Sequence, residues 1–308
     1  MILTLTVNPA IDRNVTVDRL VFEDRAYIQS RRESPGGRGI NASCVVHSFG
    51  GTTAAIVPSG GKNGVLFEQL LRGCGFPVHV ARIRNEIRTN LTITDKTGLT
   101  VKLNELGPSL SKPELKRLEA MVREKLGKAS WLLICGSLPP GVPPGFYSKL
   151  VAAAREHKVK TLLDTDGDAL REGVEAGPDV VAPNQAEAER LLNRALITEH
   201  HFIEAADRIR RMGPGSVILS LGSRGGIGAR EGLMFEATPP RVQAVCPIGS
   251  GDAMVAAFAW SMNRKDDFAD ALRWGVAAGT ASARLPGVTF ASLEEAKAVY
   301  EQVEVRRL

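Results

Sequence analysis

The sequence is poor in the features that mark metalloproteins, disulfide scaffolds and nucleic-acid binders. Its four cysteines, Cys44, Cys74, Cys135 and Cys246, form no C-x-x-C pair. Each lies in an apolar or glycine-flanked stretch, which reads as reduced core thiols of a cytoplasmic protein. The five histidines show no H-E-x-x-H or other ligand spacing, so a structural metal site is not expected. Aromatic residues make up only 5% of the chain and are not interleaved with basic ones, which leaves no stacking platform for single strands. The net charge is +5, but no dense Lys/Arg run is present. Arg31 and Arg32 come closest and read as solvated surface, so no nucleic-acid partner is expected. No apolar run approaches the roughly 20 residues that span a bilayer. Residues 1–7, MILTLTV, alternate without a basic leader and read as a strand rather than a signal peptide. No G-x-G-x-x-G occurs, and Gly61-Lys62 is followed by Asn63, so dinucleotide and Walker fingerprints are both missing.

What remains is an ordinary globular composition. The 308 residues are 44% hydrophobic and 24% charged, enough for one large α/β domain with an accessory piece. Helical periodicity at 62–73, 112–126, 143–157, 168–175 and 199–212 alternates with short apolar strands at 131–135, 159–164, 179–182 and 216–221. That rhythm predicts a mostly parallel sheet with helices on both faces. Further helices are expected near 251–262, 267–284 and 292–304. Ser111/Glu114 and Ser292/Glu295 are capping boxes. Residues 13–33 and 86–105 break the rhythm with strand character. The second stretch alternates around Lys96-Thr97-Gly98, a hairpin signal suited to a small sheet over a cleft.

Four segments carry chemistry. Gly249-Ser250-Gly251-Asp252 precedes a run, AMVAAFAW, that is apolar on every side and so reads as a buried helix. Free amides at that helix start could cradle phosphoryl oxygens beside a carboxylate able to take a proton. The alternative is an Asp in a helix cap. Gly36, Gly37, Arg38 and Asn41 lead into another helix and allow close approach of a polar ligand, or form an ordinary turn. Asn184 and Glu187 follow a strand and could hold Mg²⁺ through its waters, or simply start a helix. Ser220, Gly222, Arg224 and Gly225 form a glycine loop after a strand, suited to a nucleotide pocket or a hairpin.

In order and spacing these segments resemble the ribokinase superfamily, and within it the phosphofructokinase B branch. Asn8-Pro-Ala-Ile-Asp12, residues 36–41, Arg88-Thr-Asn90, Gly136-Ser-Leu-Pro-Pro-Gly141, Asn184/Glu187, Ser220-Leu-Gly222 and residues 249–252 match its successive motifs. The resemblance implies a three-layer α/β/α core (1–12, 34–85 and 106–308) and a β-sheet lid (13–33 and 86–105) through which a homodimer forms. It implies Asp252 as base, with amides of Gly249, Ser250 and Gly251 on the transferring phosphoryl group. Asp12, Gly36, Gly37, Asn41 and Ser137 would line the sugar site. Arg25 and Arg88, from the lid strands, would face a phosphate already on the sugar; Arg38, in the glycine segment and counted with the sugar-binding residues, adds a cation that a neutral sugar would not need. Ser220, Gly222, Arg224 and Gly225 would line the ATP site, with Mg²⁺ near Glu187. The implied reaction is ATP-dependent phosphorylation of a ketohexose phosphate. Fructose 1-phosphate leads because 1-phosphofructokinases carry a cation, Lys, at the place of Arg38. Two departures stand out. Ala182 occupies a position where many relatives carry Lys, for which Arg224 would substitute. Cys246-Pro247 replaces an Asp-Thr pair that lies near a potassium site in ribokinases.

Overall fold

The computed structural model describes residues 1–21 and 23–308; residue 22, within the expected lid segment 13–33, lies outside them. The chain opens with β1 (Ile2–Thr6), buried at every position. Alternate side chains of a strand point to opposite faces, so a strand buried throughout needs cover on both sides. Leu3 and Leu5 accordingly join one hydrophobic cluster and Ile2 the other. β2 (Ala10–Val17), β3 (Ile28–Gly36), α1 (Arg38–Ser48), β4 (Thr53–Ser59), α2 (Gly61–Leu71) and β5 (Val78–Arg82) follow. β6 (Arg88–Asp95) and β7 (Thr100–Asn104) form the hairpin anticipated around Lys96-Thr97-Gly98. α3 (Lys112–Leu126) opens on the Ser111/Glu114 capping box, with proline in its first turn.

Next come β8 (Trp131–Cys135), α4 (Phe146–Glu156), β9 (Lys160–Asp164), α5 (Gly167–Glu175), β10 (Val180–Val181), α6 (Gln185–Leu192), α7 (Glu199–Arg211) and β11 (Ser216–Ser220). A hairpin of β12 (Gly226–Arg230) and β13 (Leu233–Thr238) precedes α8 (Ser250–Asn263), α9 (Phe268–Ala283), α10 (Leu293–Tyr300) and β14 (Glu304–Arg307). The main sheet has ten strands in the order β14-β13-β12-β11-β10-β9-β8-β1-β4-β5. Strands from β11 to β5 pair in parallel; β12, β13 and β14 extend the sheet antiparallel. A second, four-stranded sheet runs β3-β2-β6-β7. One cluster packs α3 to α7 on one face of the main sheet; the other packs α1, α8, α9 and α10 on the opposite face. The architecture is therefore the expected three-layer α/β/α core with a mostly parallel sheet and a small separate sheet. No helix among the described residues is long and apolar enough to cross a membrane.

One expectation needs correction, and one open choice is narrowed. The helix expected over 292–304 stops at Tyr300, and the chain continues as β14, whose Arg306 pairs with Glu199 and Glu236. The glycine loop after β11 is a hairpin, since Gly225 takes a positive φ of 86° and Ser220 pairs with Gly226. A side chain at Gly225 would press into the Ala237 carbonyl.

The parallel register levels the carboxyl ends of the strands: Thr6 pairs with Cys135, and Cys135 with Asp164. Open α/β sheets bind ligands along that edge. α8 starts there and is buried from Ala253 to Ser261. It is held by α9, whose Gly275 and Gly279 lie one turn apart. A methyl group on either would sit 2.9 Å from a backbone oxygen of α8, at Met254 and Ser250 respectively. Bare glycine thus sets the separation of the two helices. We expect Gly275→Val to destabilise the fold by about 1–3 kcal/mol through overpacking. Gly127→Ala, in open space at a helical φ of −59°, should be neutral or stabilise by about 0.4–1 kcal/mol. Urea denaturation of both variants checks this.

Candidate active site

Asp252 lies in the first turn of α8, whose N-cap Gly249 adopts φ 83°. The helix ladder begins when Ala253 N–H donates to the Gly249 carbonyl at 2.9 Å. Amides before that point have no intrahelical partner. Ser250 N–H donates back to the Pro247 carbonyl at 3.2 Å, and Ser250 Oγ to the same oxygen at 2.8 Å. The expected three-amide cradle is therefore narrower, because Ser250 is engaged. Of the expected set the Gly249 and Gly251 amides remain, the Asp252 amide adds a further one, and nothing lies within 4 Å of where a Gly251 side chain would start.

The Asp252 carboxylate accepts a hydrogen bond from Asn41 Nδ2 at 2.7 Å. Burial pushes its pKa up to about 7, and the Asp164 charge adds to the shift; the Asn41 bond and the Arg38 charge oppose it. A base poised near neutrality suits proton abstraction at physiological pH.

Arg38 is not where the sequence reading put it. It starts α1, yet its side chain crosses to the ends of the strands rather than to the lid. Nη1 lies 3.0 Å from Asp164, and Nη2 lies 3.1 Å from Asp166 and 3.4 Å from Glu187. These anions hold its proton more firmly than usual, Asp164 foremost. Burial raises the pKa of Asp164 and of Glu187. A small pocket of about 90 Å³ joins Arg38, Asp164, Asn184, Glu187, Ser220 and Asp252, with Ala182 in its wall. The guanidinium supplies positive charge in a pocket whose wall at 182 carries only a methyl group.

Asn184 and Glu187 meet the helix-start reading directly. They form a reciprocal capping box at the start of α6, with Glu187 N–H donating to Asn184 Oδ1 and Asn184 N–H to Glu187 Oε2, each at 2.9 Å. The other Glu187 oxygen faces Arg38. A larger cavity of about 540 Å³ shares Ser220, Gly251 and Met254 with the small pocket. Its wall adds Gly222, Gly225, Val242, Val276 and Gly279, a mostly apolar slot of nucleoside size. Arg224 lines neither cavity. Its guanidinium stacks 4.5 Å over the Phe202 ring and donates to Gln185. Arg241, which the sequence reading missed, lines the slot instead.

A third region faces Asp252 from the small sheet. Asp12 pairs in register with Asn90, whose Nδ2 donates to it at 2.8 Å. A methyl on Gly36 would fall 2.3 Å from the Asp12 carboxyl, so only glycine leaves that carboxyl its place. Gly37 takes φ 137° at the start of α1. Arg88 donates to the Asn8 and Glu105 carbonyls, each at 3.0 Å. Ser137 lies 3.4 Å from Asn8 Nδ2. Arg25, by contrast, lies on the exposed connector between β2 and β3, outside either strand. Buried polar atoms normally find partners. Among the described residues four side-chain atoms do not, and three of them surround this cleft: Asn8 Oδ1, Arg88 Nε and Asn90 Oδ1. Their unmet hydrogen-bonding capacity suits a polyhydroxylated ligand. Asp164, Asp166, Asn8 and Asn90 were missed as site residues. An Asp closing a short apolar strand was the available signal for the first.

A nucleoside-sized slot joined to a small pocket with a buried carboxylate of raised proton affinity lies at the carboxyl edge of an α/β sheet, as in ribokinase-like folds. The chain belongs to the pfkB family of carbohydrate kinases, whose family model matches residues 5–296. It is 30% identical to the ATP-dependent 6-phosphofructokinase isozyme 2 of Escherichia coli (strain K12), over 97% of both chains. The crystal structure of that organism's phosphofructokinase-2 in complex with potassium superposes with a TM-score of 0.92, covering 97% of this chain and 98% of the other. The 1-phosphofructokinase of Vibrio cholerae is 25% identical over 100% of this chain and 97% of its own. The protein is thus a carbohydrate kinase of the phosphofructokinase type.

The Asp252 proton affinity sets a pH dependence. With Asp252 as the base proposed below, which works ionised, kcat/KM should rise with pH and be half-maximal near pH 7. Asn41→Ala removes a bond that favours the ionised form and should move the midpoint higher. A kcat/KM profile from pH 5.5 to 8.5 for both enzymes checks the sign.

Proposed function

We propose that the enzyme transfers the γ-phosphoryl group of ATP to a ketohexose phosphate, fructose 1-phosphate first, giving a bisphosphate. The observation that carries this reading is the set of orphaned polar atoms on Asn8, Arg88 and Asn90, two of whose side chains bond or attract Asp12, whose charge is felt in turn at Asp252. In this reading the acceptor hydroxyl attacks phosphorus, its proton passes to Asp252 and the bond to the β-phosphate breaks, releasing ADP. The Gly251 and Asp252 amides and Arg38 stabilise charge on the moving group. Arg88 takes the phosphate already on the acceptor. Burial lowers its proton affinity, as expected of a cation kept out of water before an anion arrives.

Mg²⁺ fits the donor pocket. Asp164, Asp166, Glu187 and Asp252 face one guanidinium there, an anionic surplus that would repel a bare triphosphate. Among the described residues no three His, Cys, Asp or Glu side chains could hold a metal by themselves. Mg²⁺ is usually bound chiefly by substrate phosphates and water, so Glu187 and Asp164 would hold it through that shell. When bound, it would neutralise charge on the phosphates.

The cation at position 38 is what favours fructose 1-phosphate. A second reading, fructose 6-phosphate, is favoured by the side chain's turn towards the donor pocket, which leaves Arg38 nothing to read on the acceptor. Comparing kcat/KM for fructose 1-phosphate, fructose 6-phosphate and tagatose 6-phosphate decides between them. No turnover with any of the three would overturn the reading. Asp252→Asn should lower kcat at least about 100-fold with ATP affinity unchanged. Arg88→Ala should raise KM for the sugar phosphate about 10- to 100-fold, the worth of one charge-assisted bond. An effect confined to ATP kinetics would contradict that role.

In the same reading, residues 13–33 and 86–105 act as a lid on a cytoplasmic enzyme, excluding water as they close. Tyr27, Ile28 and Leu103 on this sheet are more than half exposed. A second copy of the chain is the occupant proposed for them. Sedimentation equilibrium should give a dimer, and Leu103→Lys should shift it towards monomer.

A further inference from the structure

We infer that Asp166 is a positioning residue for phosphoryl transfer, fixing the Arg38 guanidinium at the mouth of the pocket it shares with Asp252. The inference rests on the role given to Arg38 above. Asp166 is the N-cap of α5, with φ −132° and ψ 173°. From that backbone an Asp ordinarily accepts a hydrogen bond from the second or third amide of its helix. It makes no such bond here. Its Oδ2 takes Arg38 Nη2 at 3.1 Å instead.

Asp164 holds the other terminal nitrogen at 3.0 Å. One carboxylate alone would leave a long arginine free to swing about that contact. Two, on different nitrogens, fix the plane of the guanidinium. Glu187 contributes less, at 3.4–3.5 Å, because its second oxygen is committed to the α6 cap. Asp166 is 38% exposed on its side chain, so the ion pair adds little to stability. The helix would be served better by a capping side chain, so the arrangement favours the site rather than the fold. The Asp166 charge also reaches Arg88, which places this carboxylate between the donor-side and acceptor-side cations.

Asp166→Ser tests this, because serine is a good N-cap and removes only the grip on Arg38. The expected variant melts at or above the wild-type temperature. Its kcat falls about 10- to 50-fold, while KM for ATP and for the sugar phosphate stays within about threefold. Asp166→Asn, which keeps an oxygen for Nη2, should recover part of the loss. Arg38→Ala and Arg38→Ala/Asp166→Ser should turn over at the same rate, since Asp166 acts through Arg38. Wild-type kcat in Asp166→Ser, or losses that multiply in the double variant, would overturn the inference. A crystal structure of Asp166→Ser tests the same point without any substrate. The Arg38 guanidinium should leave its present plane, and an unmoved guanidinium would contradict the proposal. A wild-type enzyme inactive on every sugar phosphate would sink the functional reading instead.

Discussion

Positive charge is scarce where the phosphoryl group must pass. One guanidinium, Arg38, faces Asp164, Asp166, Glu187 and Asp252 in a pocket whose inner carboxylates, Asp164 and Glu187, are nearly closed to water. Electrostatic interactions are stronger in such surroundings than in bulk solvent. The imbalance holds Arg38 in place, and the Asp164 charge adds to the burial that raises the proton affinity of Asp252 towards neutrality. It also requires ATP to bring compensating positive charge with it. Exposed to water, Asp252 would be an ordinary, strongly ionised carboxylate and a much weaker base.

The fold delivers these groups by simple means. Parallel pairing brings the ends of β9, β10 and β11 to one edge, where Asp164, Asn184 and Ser220 sit. Side chains on both faces of the main sheet are buried, so the edge is rigid. The glycines of α9 let α8 come close enough for its first turn to reach that edge. Across the cleft, the register of β2 with β6 sets Asp12 beside Asn90. In the proposed reading the small sheet supplies the polar acceptor wall and the large sheet the donor pocket.

What could be read from sequence depended on how local each feature is. Gly249-Ser250-Gly251-Asp252 ahead of an apolar run specifies a buried helix start within a dozen residues, and the structure has it. The strand–helix alternation and both serine capping boxes were visible for the same reason. Arg38 was misplaced because its partners lie 126 and more residues away, beyond any local pattern. Arg224 was assigned to the nucleotide slot by its position in a glycine loop, but an aromatic face on α7 holds it elsewhere. β14 was read as helix because four residues are too few to show their own period. Asp166 gave no signal at all: a helix-capping Asp looks the same in sequence whichever way its side chain turns.

The most direct measurement is a crystal structure with a non-hydrolysable ATP analogue and a ketohexose phosphate. The account predicts the acceptor hydroxyl about 2.6–3.2 Å from an Asp252 carboxylate oxygen, in line with the γ-phosphorus, and the sugar's own phosphate beside Arg88. A hydroxyl turned away from Asp252, with another side chain placed to take its proton, would contradict the account.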